Sequence, residues 1–396
     1  MQAFEGGNLI TFVGPPQAGK AQPHRTPVLT PTGWRKIGEL VPGDLVIGGD
    51  GRPVQAVAVH ERGIREVFQV SLDDGTSTVA CGDHLWTVHP HALSSRTIDT
   101  RTLRNRVATN KRFGMLPVVA PVEYTPAGDL PLGAYLLGLL LGDGGLTGDG
   151  VVITLADDEL VEAVRAALPA GARITRKGSP RDKNGKLKYG YGIYGTKHWR
   201  ATGTPPVTAA LRQLGLHGHR TEDKFIPESY LHASVEDRKA LLAGLLDTDG
   251  GMEGNSVTFT TVSPKLADDV RELVLSLGGC VRVRTKNTSY VNYAGERITC
   301  RTAYRLSMRL PYGNPFRLAR KRERYDDHAK NLRPPNRRIV SVEPEGLDNV
   351  RCITVANPDG LYVTENFIVT HNSTSMLLMT MPPRSRARSR CPSALK

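Results

Sequence analysis

The sequence predicts an α+β protein in which one all-β domain is interrupted by a second domain made of two copies of one unit. Short β-type runs separated by turn residues fill the chain from residue 21 to about 120, and similar runs return from 338 to 372. The stretch between them carries helical periodicity and repeats itself. Neither β-rich piece looks self-sufficient, so we expect both to pair into one domain.

The predicted strands are short runs rich in β-branched and aliphatic residues, bounded by Gly, Pro, Asn or Asp. In the first piece they lie at residues 27–30, 44–47, 54–59, 67–72 and 78–88. In the second piece they lie at 339–342, 352–355, 361–363 and 367–369.

An internal repeat organises the middle of the chain. LLGLLLGDGG at 136–145 aligns with LAGLLDTDGG at 242–251, and the same offset pairs Arg165 with Arg271. Each copy reads as an apolar helix ending in Asp-Gly, a strand, an amphipathic helix (159–168 or 265–277) and another strand. The repeat predicts pseudo-twofold symmetry, with linkers at 121–131 and 311–335.

Each apolar helix ends on an acid, Asp143 or Asp249, and Gly138 and Gly244 would let the two helices approach closely. Paired carboxylates can hold hard divalent cations, which stabilise the attacking and leaving oxygens of a phosphodiester. One such motif alone is more often a capped core helix. Two in register within a basic domain indicate cleavage of nucleic acid.

Composition favours a polyanionic partner and a reducing environment. The net charge is +13, from 52 Lys and Arg against 39 Asp and Glu, and basic runs lie at 173–200 and 317–338. The first run interleaves three tyrosines: Tyr189, Tyr191 and Tyr194. Five widely spaced cysteines without a C-x-x-C pair indicate neither a disulfide framework nor a structural zinc site. No segment is apolar enough to span a membrane, so we expect a cytoplasmic protein.

The two ends of the chain together restore one motif. GPPQAGK at 14–20 has the spacing of a phosphate-binding loop, but Ala21 stands where Ser or Thr should bind the metal. Removing residues 21–372 leaves GPPQAGKSTSMLLM, a complete loop. The simplest interpretation is an insertion that removes itself from a host ATPase. In the joined host, nucleotide would bind at four residues: Gly14, Gly19, Lys20 and Ser373.

The downstream junction carries the chemistry for such a removal. The Asn372 side-chain amide can attack its own carbonyl carbon and break the bond to Ser373, with His371 assisting the departure. Ala21 supplies no thiol or hydroxyl at the upstream junction, so another nucleophile must act there. Cys352 is the best candidate, although a lone Cys in a strand is usually inert core.

The middle domain resembles the LAGLIDADG homing endonucleases over residues 128–320. The resemblance implies a monomeric saddle of two αββαββα halves that cuts both DNA strands, with Mg²⁺ at Asp143 and Asp249 and with Lys224 near the active centre. The first motif departs from the family's letters at Leu141 and Gly142.

The flanking pieces resemble the Hint fold of inteins, and Trp86, Cys352 and Thr370 match the Trp-Cys-Thr signature of class 3 inteins. That resemblance implies that Cys352 attacks the Lys20 carbonyl, without a cofactor, and passes the acyl group to Ser373. His84 would activate the upstream bond with Asp83 nearby, while Trp86 and Thr370 would position the nucleophile. Cys81 stands where the family usually has Thr.

The sequence therefore predicts a self-splicing intein that carries a double-stranded DNA endonuclease, whose target is a copy of the host gene without the insertion. The expected boundaries are host segment 1–20, splicing domain 21–127, endonuclease 128–320, linker and splicing domain 321–372, and host segment 373–396. Two alternatives stay open. One is a splicing-defective endonuclease or DNA-binding remnant. The other is a P-loop NTPase that keeps its insertion, against which Ala21 argues.

Overall fold

The structure is a computed structural model that describes residues 20–91, 94–109, 114–126, 128–148, 150–178, 189–196, 203–287, 289–291, 296–329 and 332–371. The predicted site residues Gly14, Gly19, Asn372 and Ser373 lie outside these ranges, as do most of the two host segments. None of the described helices is both long and apolar enough to cross a membrane.

The described strands are β1 (Gln22–Pro23), β2 (Pro27–Thr30), β3 (Gly33–Lys36), β4 (Leu45–Ile47), β5 (Pro53–Leu72), β6 (Ser77–Cys81), β7 (Leu85–His91), β8 (Ser94–Asp99), β9 (Met115–Leu116), β10 (Gly144–Gly145), β11 (Val151–Thr154), β12 (Ala172–Arg176), β13 (Gly190–Gly195), β14 (Gly250–Glu253), β15 (Ser256–Thr261), β16 (Cys280–Lys286), β17 (Ser289–Val291), β18 (Arg297–Thr299), β19 (Ala303–Arg309), β20 (Arg337–Val355), β21 (Leu361–Thr364) and β22 (Ile368–His371).

The described helices are α1 (Thr100–Thr109), α2 (Ala134–Asp143), α3 (Asp158–Ala167), α4 (Pro206–Gln213), α5 (Glu228–Leu231), α6 (Val235–Asp249), α7 (Pro264–Ser276) and α8 (Ala319–Ala329). Three short 3₁₀ turns lie at Ile37–Glu39, Thr221–Asp223 and Glu365–Phe367.

Strands from both ends of the chain build the β-rich domain. The long strands β5 and β20 pair antiparallel, and their sheet runs in the order β4-β5-β20-β9-β7-β8, with β1 on β20 and β6 on β5. A second sheet, β22-β21-β2-β3, also joins the two ends. Each of these sheets would lose a central pairing without its partner piece, which explains why neither piece looks self-sufficient in the sequence.

Two similar α/β halves form the middle domain. The first contains the sheet β10-β11-β13-β12 with helices α2 and α3, and the second contains β14-β15-β19-β16 with α6 and α7. Helices α2 and α6 pack side by side. The α+β class predicted from the sequence is confirmed, with an all-β domain interrupted by a repeated α/β domain.

Glycines permit the close contact between α2 and α6. A Cβ on Gly138 would lie 2.3 Å from the Leu241 carbonyl oxygen, and a Cβ on Gly244 would lie 2.3 Å from the Tyr135 carbonyl oxygen. No side chain fits at such distances. A Cβ on Gly142 would overlap the Thr248 hydroxyl. Glycine at position 142, where the sequence departs from the family motif, therefore leaves room for the Thr248 side chain on α6.

The two domains share a continuous apolar core. Leu29, Val363 and Val369 of the β domain belong to the same buried cluster as the leucines of α2 and α6. Arg238 of α6 is fully buried at the boundary, where it donates to the carbonyl oxygens of Val122 and Ser276. Burial lowers the pKa of Arg238 to about 10. The middle domain therefore packs against the β domain through a shared core and is not joined to it by linkers alone.

The segment expected as a linker at 311–335 is partly helical. Helix α8 occupies Ala319–Ala329, and the backbone amides of Arg317 and Leu318 donate to the carboxylate of Asp247 on α6. The sequence concealed this helix because its residues are strongly polar, so no apolar stripe marks it.

Candidate functional site

The upstream junction is buried in the β domain between two cysteines. The Ala21 amide donates to Cys81 Sγ at 3.3 Å, and the Cys81 amide donates to the Ala21 carbonyl at 3.0 Å. Ala21, Cys81 and Cys352 pack in one small apolar cluster. The predicted nucleophile and the first residue of the insertion are therefore close together.

The strand register explains this arrangement. In β1, Gln22 is opposite Arg351 of β20, so the antiparallel chain continues from Gln22 through Ala21 along Cys352. The hydroxyl of Tyr362 donates to Gln22 Oε1 at 2.8 Å and ties the start of the insertion to β21. Two strands from opposite ends of the chain thus bring the Lys20–Ala21 bond to the Cys352 thiol.

Lys20 is buried beside the same thiol, with 4% of its surface exposed. Burial lowers the pKa of Lys20, while the negative charge of a Cys352 thiolate acts in the opposite direction.

His84 lies at the centre of the second cluster. Its Nε2 is hydrogen-bonded to the Thr370 hydroxyl, and its buried Nδ1 has no hydrogen-bond partner among the described residues. Burial lowers the pKa of His84 to about 3, and nearby His371 and Lys20 contribute in the same direction. The imidazole is therefore neutral at physiological pH. It lies between Lys20, whose charge acts on it, and Thr370, which lies on the strand that leads to the downstream junction.

Trp86 contacts His84 both through its ring and through a hydrogen-bonded bridge. Its indole N–H donates to the Thr100 hydroxyl at 3.0 Å, and that hydroxyl donates to the His84 carbonyl at 3.1 Å. The Trp86 and His84 rings meet edge to face with centroids 5.0 Å apart. Trp86 is fully buried, so it fixes the backbone and the ring of His84 rather than contacting the junction itself.

Asp83 lies at the solvent-facing edge of the upstream junction, where it lines one cavity with Ala21 and Cys81. Its side chain is more than half exposed and pairs with Arg101, which also lies 3.6 Å from Glu66. The structure therefore brings together Lys20, Ala21, Cys352, His84, Trp86, Thr370 and His371, and it directs Asp83 towards solvent.

The two acids predicted for the nuclease lie at the ends of α2 and α6. Asp143 and Asp249 lie close enough for their charges to interact, and both residues are exposed at the surface, although neighbouring protein atoms partly desolvate their carboxylates. Burial raises the pKa of Asp249 to about 6, with a further contribution from the charge of Asp143. Burial also raises the pKa of Asp143.

This pair is a suitable partial ligand set for a divalent cation. Carboxylate oxygens are hard donors, and two crowded acids with raised pKa values gain when a cation neutralises them. No group of three or more His, Cys, Asp or Glu side chains in the described ranges could hold a metal. Further ligands would have to come from phosphate, water or main-chain oxygens.

Lys224 lies beneath the first acid. It is buried, and its ammonium donates to the carbonyl oxygens that end helix α2: Leu140 at 3.2 Å, Leu141 at 2.9 Å and Gly142 at 2.9 Å. Burial lowers the pKa of Lys224 to about 8, against the attraction of Asp249 and Asp143. The cation therefore fixes the helix end that carries Asp143.

Lys321 has the same role in the second half, although no motif in the sequence marks it. Its ammonium donates at 2.8 to 2.9 Å to the carbonyl oxygens that end helix α6: Leu246, Asp247, Thr248 and Gly250. Burial lowers its pKa to about 8. Pseudo-symmetry calls for a counterpart to Lys224, but the two lysines do not share the offset of the repeat, so alignment alone could not find it.

Comparisons with known proteins agree with this arrangement. Residues 236–306 match the family described as a LAGLIDADG-like domain. The chain is 31% identical over 392 residues to the replicative DNA helicase DnaB of Mycobacterium intracellulare, a match that covers 92% of this chain and 60% of that relative. It is 28% identical over 183 residues to the homothallic switching endonuclease of Saccharomyces cerevisiae, covering 43% of this chain and 31% of that protein.

Among solved structures, the crystal structure of the Msm DnaB1 intein splicing domain bound with zinc is 33% identical, covers 21% of this chain and 62% of its own, and has a TM-score of 0.19. The chain spans less than two thirds of the length of the curated relatives described above.

The β domain built from both chain ends therefore holds a cysteine beside the start of the inserted segment, and the nested repeat, which matches the LAGLIDADG-like domain over residues 236–306, carries two neighbouring acids.

Proposed function

We propose that this chain excises residues 21–372 and joins its flanking segments through Cys352. The observation that carries the proposal is the packing of Ala21 against Cys81 and Cys352, with Lys20 buried beside the Cys352 thiol. A thiol close to the scissile bond suits acyl transfer, because proximity lowers the entropic barrier to attack on the carbonyl carbon.

In the proposed reaction, Cys352 Sγ attacks the Lys20 carbonyl carbon and gives up its proton, and the Ala21 nitrogen leaves with a proton as an amine. The Ser373 hydroxyl then attacks the thioester carbonyl and releases the Cys352 thiol. Asn372 Nδ2 attacks its own main-chain carbonyl, which forms a succinimide and breaks the bond to Ser373. The new Ser373 amine finally displaces its own ester oxygen, so the product is a Lys20–Ser373 peptide bond.

His84 suits the upstream step. Its unpartnered, neutral Nδ1 can hydrogen-bond the Lys20–Ala21 peptide, while Thr370 holds Nε2 and fixes the orientation of the ring. His371, one residue before Asn372, is placed in the chain to protonate the departing Ser373 amine. Trp86 and Thr370 act as positioning residues for His84.

We further propose that the middle domain cuts double-stranded DNA at a copy of the host gene that lacks the insertion. Asp143 and Asp249 would hold Mg²⁺, which supplies charge neutralisation at the scissile phosphates. Lys224 and Lys321 orient the two acids by fixing their helix ends. Two exposed arginines on the outer strands of the two sheets, Arg173 on β12 and Arg284 on β16, supply phosphate contacts.

The restored phosphate-binding loop and the similarity to DnaB relatives support a replicative helicase as the host. We propose that the chain acts there as a monomer in the cytoplasm. In the joined host, the nucleotide-binding residues would be Gly14, Gly19, Lys20 and Ser373. This proposal replaces the unidentified ATPase expected from the sequence with a specific one.

Intact mass spectrometry of the expressed chain tests the splicing proposal. The wild-type protein should release residues 21–372 with a carboxyl-terminal succinimide, and Cys352→Ala should not form the branched thioester. Cys280→Ala, in the middle domain, is the matched control and should splice normally. Cys81→Ala separates the two junction thiols: a complete block in this variant together with normal splicing of Cys352→Ala would assign the nucleophile to Cys81.

An unchanged full-length mass in the wild type would favour a splicing-defective endonuclease. Cleavage of a duplex that encodes the uninterrupted loop, dependent on Mg²⁺, would then be the remaining activity. A wild type without splicing or cleavage would leave the DNA-binding remnant.

A further inference from the structure

The turn that leads into the last strand has an unusual backbone. Asn366 and Phe367 have φ angles of 58° and 55°, in the left-handed region, and β22 with Thr370 and His371 follows immediately. Residues with a Cβ rarely adopt this region, and two in succession strain the backbone. The turn therefore needs contacts that hold it, and its conformation sets the direction in which β22 carries the downstream junction.

One set of contacts comes from the β domain itself. Arg337 donates to the carbonyl oxygens of Asn366 at 2.7 Å and Phe367 at 3.2 Å, and it is anchored by the Asp74 carboxylate at 2.8 Å. The Asn366 side chain donates to the Ser77 carbonyl at 3.0 Å.

The other set comes from helix α7 of the nuclease domain. Arg271 donates to Asn366 Oδ1 at 2.8 Å. Glu272 accepts from the Trp34 indole N–H at 3.3 Å, and the Trp34 ring meets Phe367 edge to face with centroids 5.1 Å apart. Both left-handed residues are thus contacted by side chains that depend on α7.

The first half of the repeat lacks these contacts. The residue equivalent to Arg271 is Arg165 on α3, which pairs with Glu162 at the surface, and the residue equivalent to Glu272 is Ala166. The nuclease fold therefore does not require this pair. Its presence only in the half that faces the splicing domain points to a role in splicing.

We propose that Arg271 and Glu272 position the downstream splice junction, so that the nuclease domain is a structural part of the splicing centre. The proposal rests on the splicing function proposed above. Asn372 follows the turn by only five residues in sequence, so a change in the turn shifts β22, the strand that leads to Asn372. Misplacement by about 1 Å can slow such a step by on the order of 100-fold.

The test compares Arg271→Ala with Arg165→Ala in a time course of intact mass spectrometry that separates the branched intermediate from the excised product. In Arg271→Ala, the branched intermediate should form at the wild-type rate and accumulate, because its resolution by Asn372 slows by about tenfold or more. Arg165→Ala should match the wild type. Arg271→Lys should recover part of the rate, and Mg²⁺-dependent DNA cleavage should be equal in all three variants.

Equal rates in Arg271→Ala and Arg165→Ala would overturn the inference and leave the splicing proposal intact. The inference also fails if Arg271→Ala slows branch formation as much as branch resolution, since Arg271 would then be a general fold contact. A wild-type chain that does not splice overturns both the splicing proposal and this inference. That outcome is distinguishable from the two above, in which the wild type splices.

Discussion

The two halves of the nuclease domain have the same fold but different surroundings. At the pseudo-twofold axis they match: each supplies a helix that ends in an acid, and each helix end is fixed by a buried lysine, Lys224 or Lys321. Away from the axis they differ, because α3 presents Arg165 to solvent whereas α7 presents Arg271 to the splicing domain. The symmetric part carries the proposed nuclease site, and the asymmetric part contacts the β domain.

The helix ends show the same contrast within a few residues. The second motif has Asp247 and Thr248 where the first has Leu141 and Gly142. Asp247 accepts hydrogen bonds from the Tyr135 hydroxyl and from the first amides of the α8 segment, so it docks a helix that has no counterpart contact at Leu141 among the described residues. A residue that departs from a family motif can thus be explained by a contact with a neighbouring element, and need not mean that the motif has lost its function.

The largest predicted effect comes from the matched acids. Asp143→Asn and Asp249→Asn should each reduce cleavage of duplex DNA by at least ~100-fold, because each removes a charge that holds the cation at the phosphates. Gel analysis of a duplex that spans the insertion site measures the loss. Splicing should continue in both variants, since the splice centre and the acids lie in different domains.

The surface variant Asp158→Asn, at the start of α3, is the control and should cleave normally. If one acid variant cleaved at the wild-type rate, the two halves would not be equivalent at the axis. Loss of splicing together with cleavage would contradict the separation of the two centres.

The next effect concerns the contact between α2 and α6. Gly138→Val should destabilise the protein by about 3 kcal/mol, because a side chain pushed against the Leu241 backbone costs far more than the few tenths gained in helix propensity. Urea unfolding in a Cys352→Ala background, where the chain stays intact, measures the change. Gly145→Ala, which meets nothing closer than 3.7 Å, should be nearly neutral. A stable Gly138→Val protein would show that the helix pair can separate.

The repeat and the strands were predictable because their signals are local. The sequence predicts β2 at its observed bounds, but it divides β5 and β20 into two strands each. Their central segments are polar and carry Gly63 and Gly346 in the left-handed region, so they lack an apolar alternation. They are strands because they pair with each other, which no local pattern reveals.

The candidate site divides in the same way. Cys352, His84 and the two acids lie in recognisable motifs. Lys321 lies in a charged run that resembles a solvated surface, and its burial results from the position of α8. Arg271 belongs to an ordinary amphipathic helix, and only the tertiary fold shows that it contacts Asn366.

A smaller effect should follow from the asymmetric acid. Asp247→Asn should cost about 1–2 kcal/mol, since the amide keeps one acceptor oxygen but loses the charge that binds the Arg317 and Leu318 amides. The same unfolding assay measures it, with Asp268→Asn on the exposed face of α7 as control. No loss of stability would mean that α8 is held by Lys321 alone.

The smallest effect separates the two matched acids by pH. The pKa of Asp249 is raised from 3.8 to about 6, chiefly by burial and then by Asp143, so its folded state binds a proton more tightly than its unfolded state between those values. Because a divalent cation needs the carboxylate, affinity for Mg²⁺ should be lost as the pH falls through about 6, by roughly tenfold between pH 7 and pH 5.

Carboxyl carbon NMR checks the cause without metal. Asp249 should titrate with a midpoint near its raised pKa of about 6 in the intact pair, and Asp143→Asn should lower that midpoint without returning it to 3.8, because burial is the larger contribution. An unchanged midpoint would mean that Asp143 exerts no charge effect on Asp249. The two acids would then occupy equivalent positions in the repeat without forming one shared cation site. Each half would have to bind its cation independently.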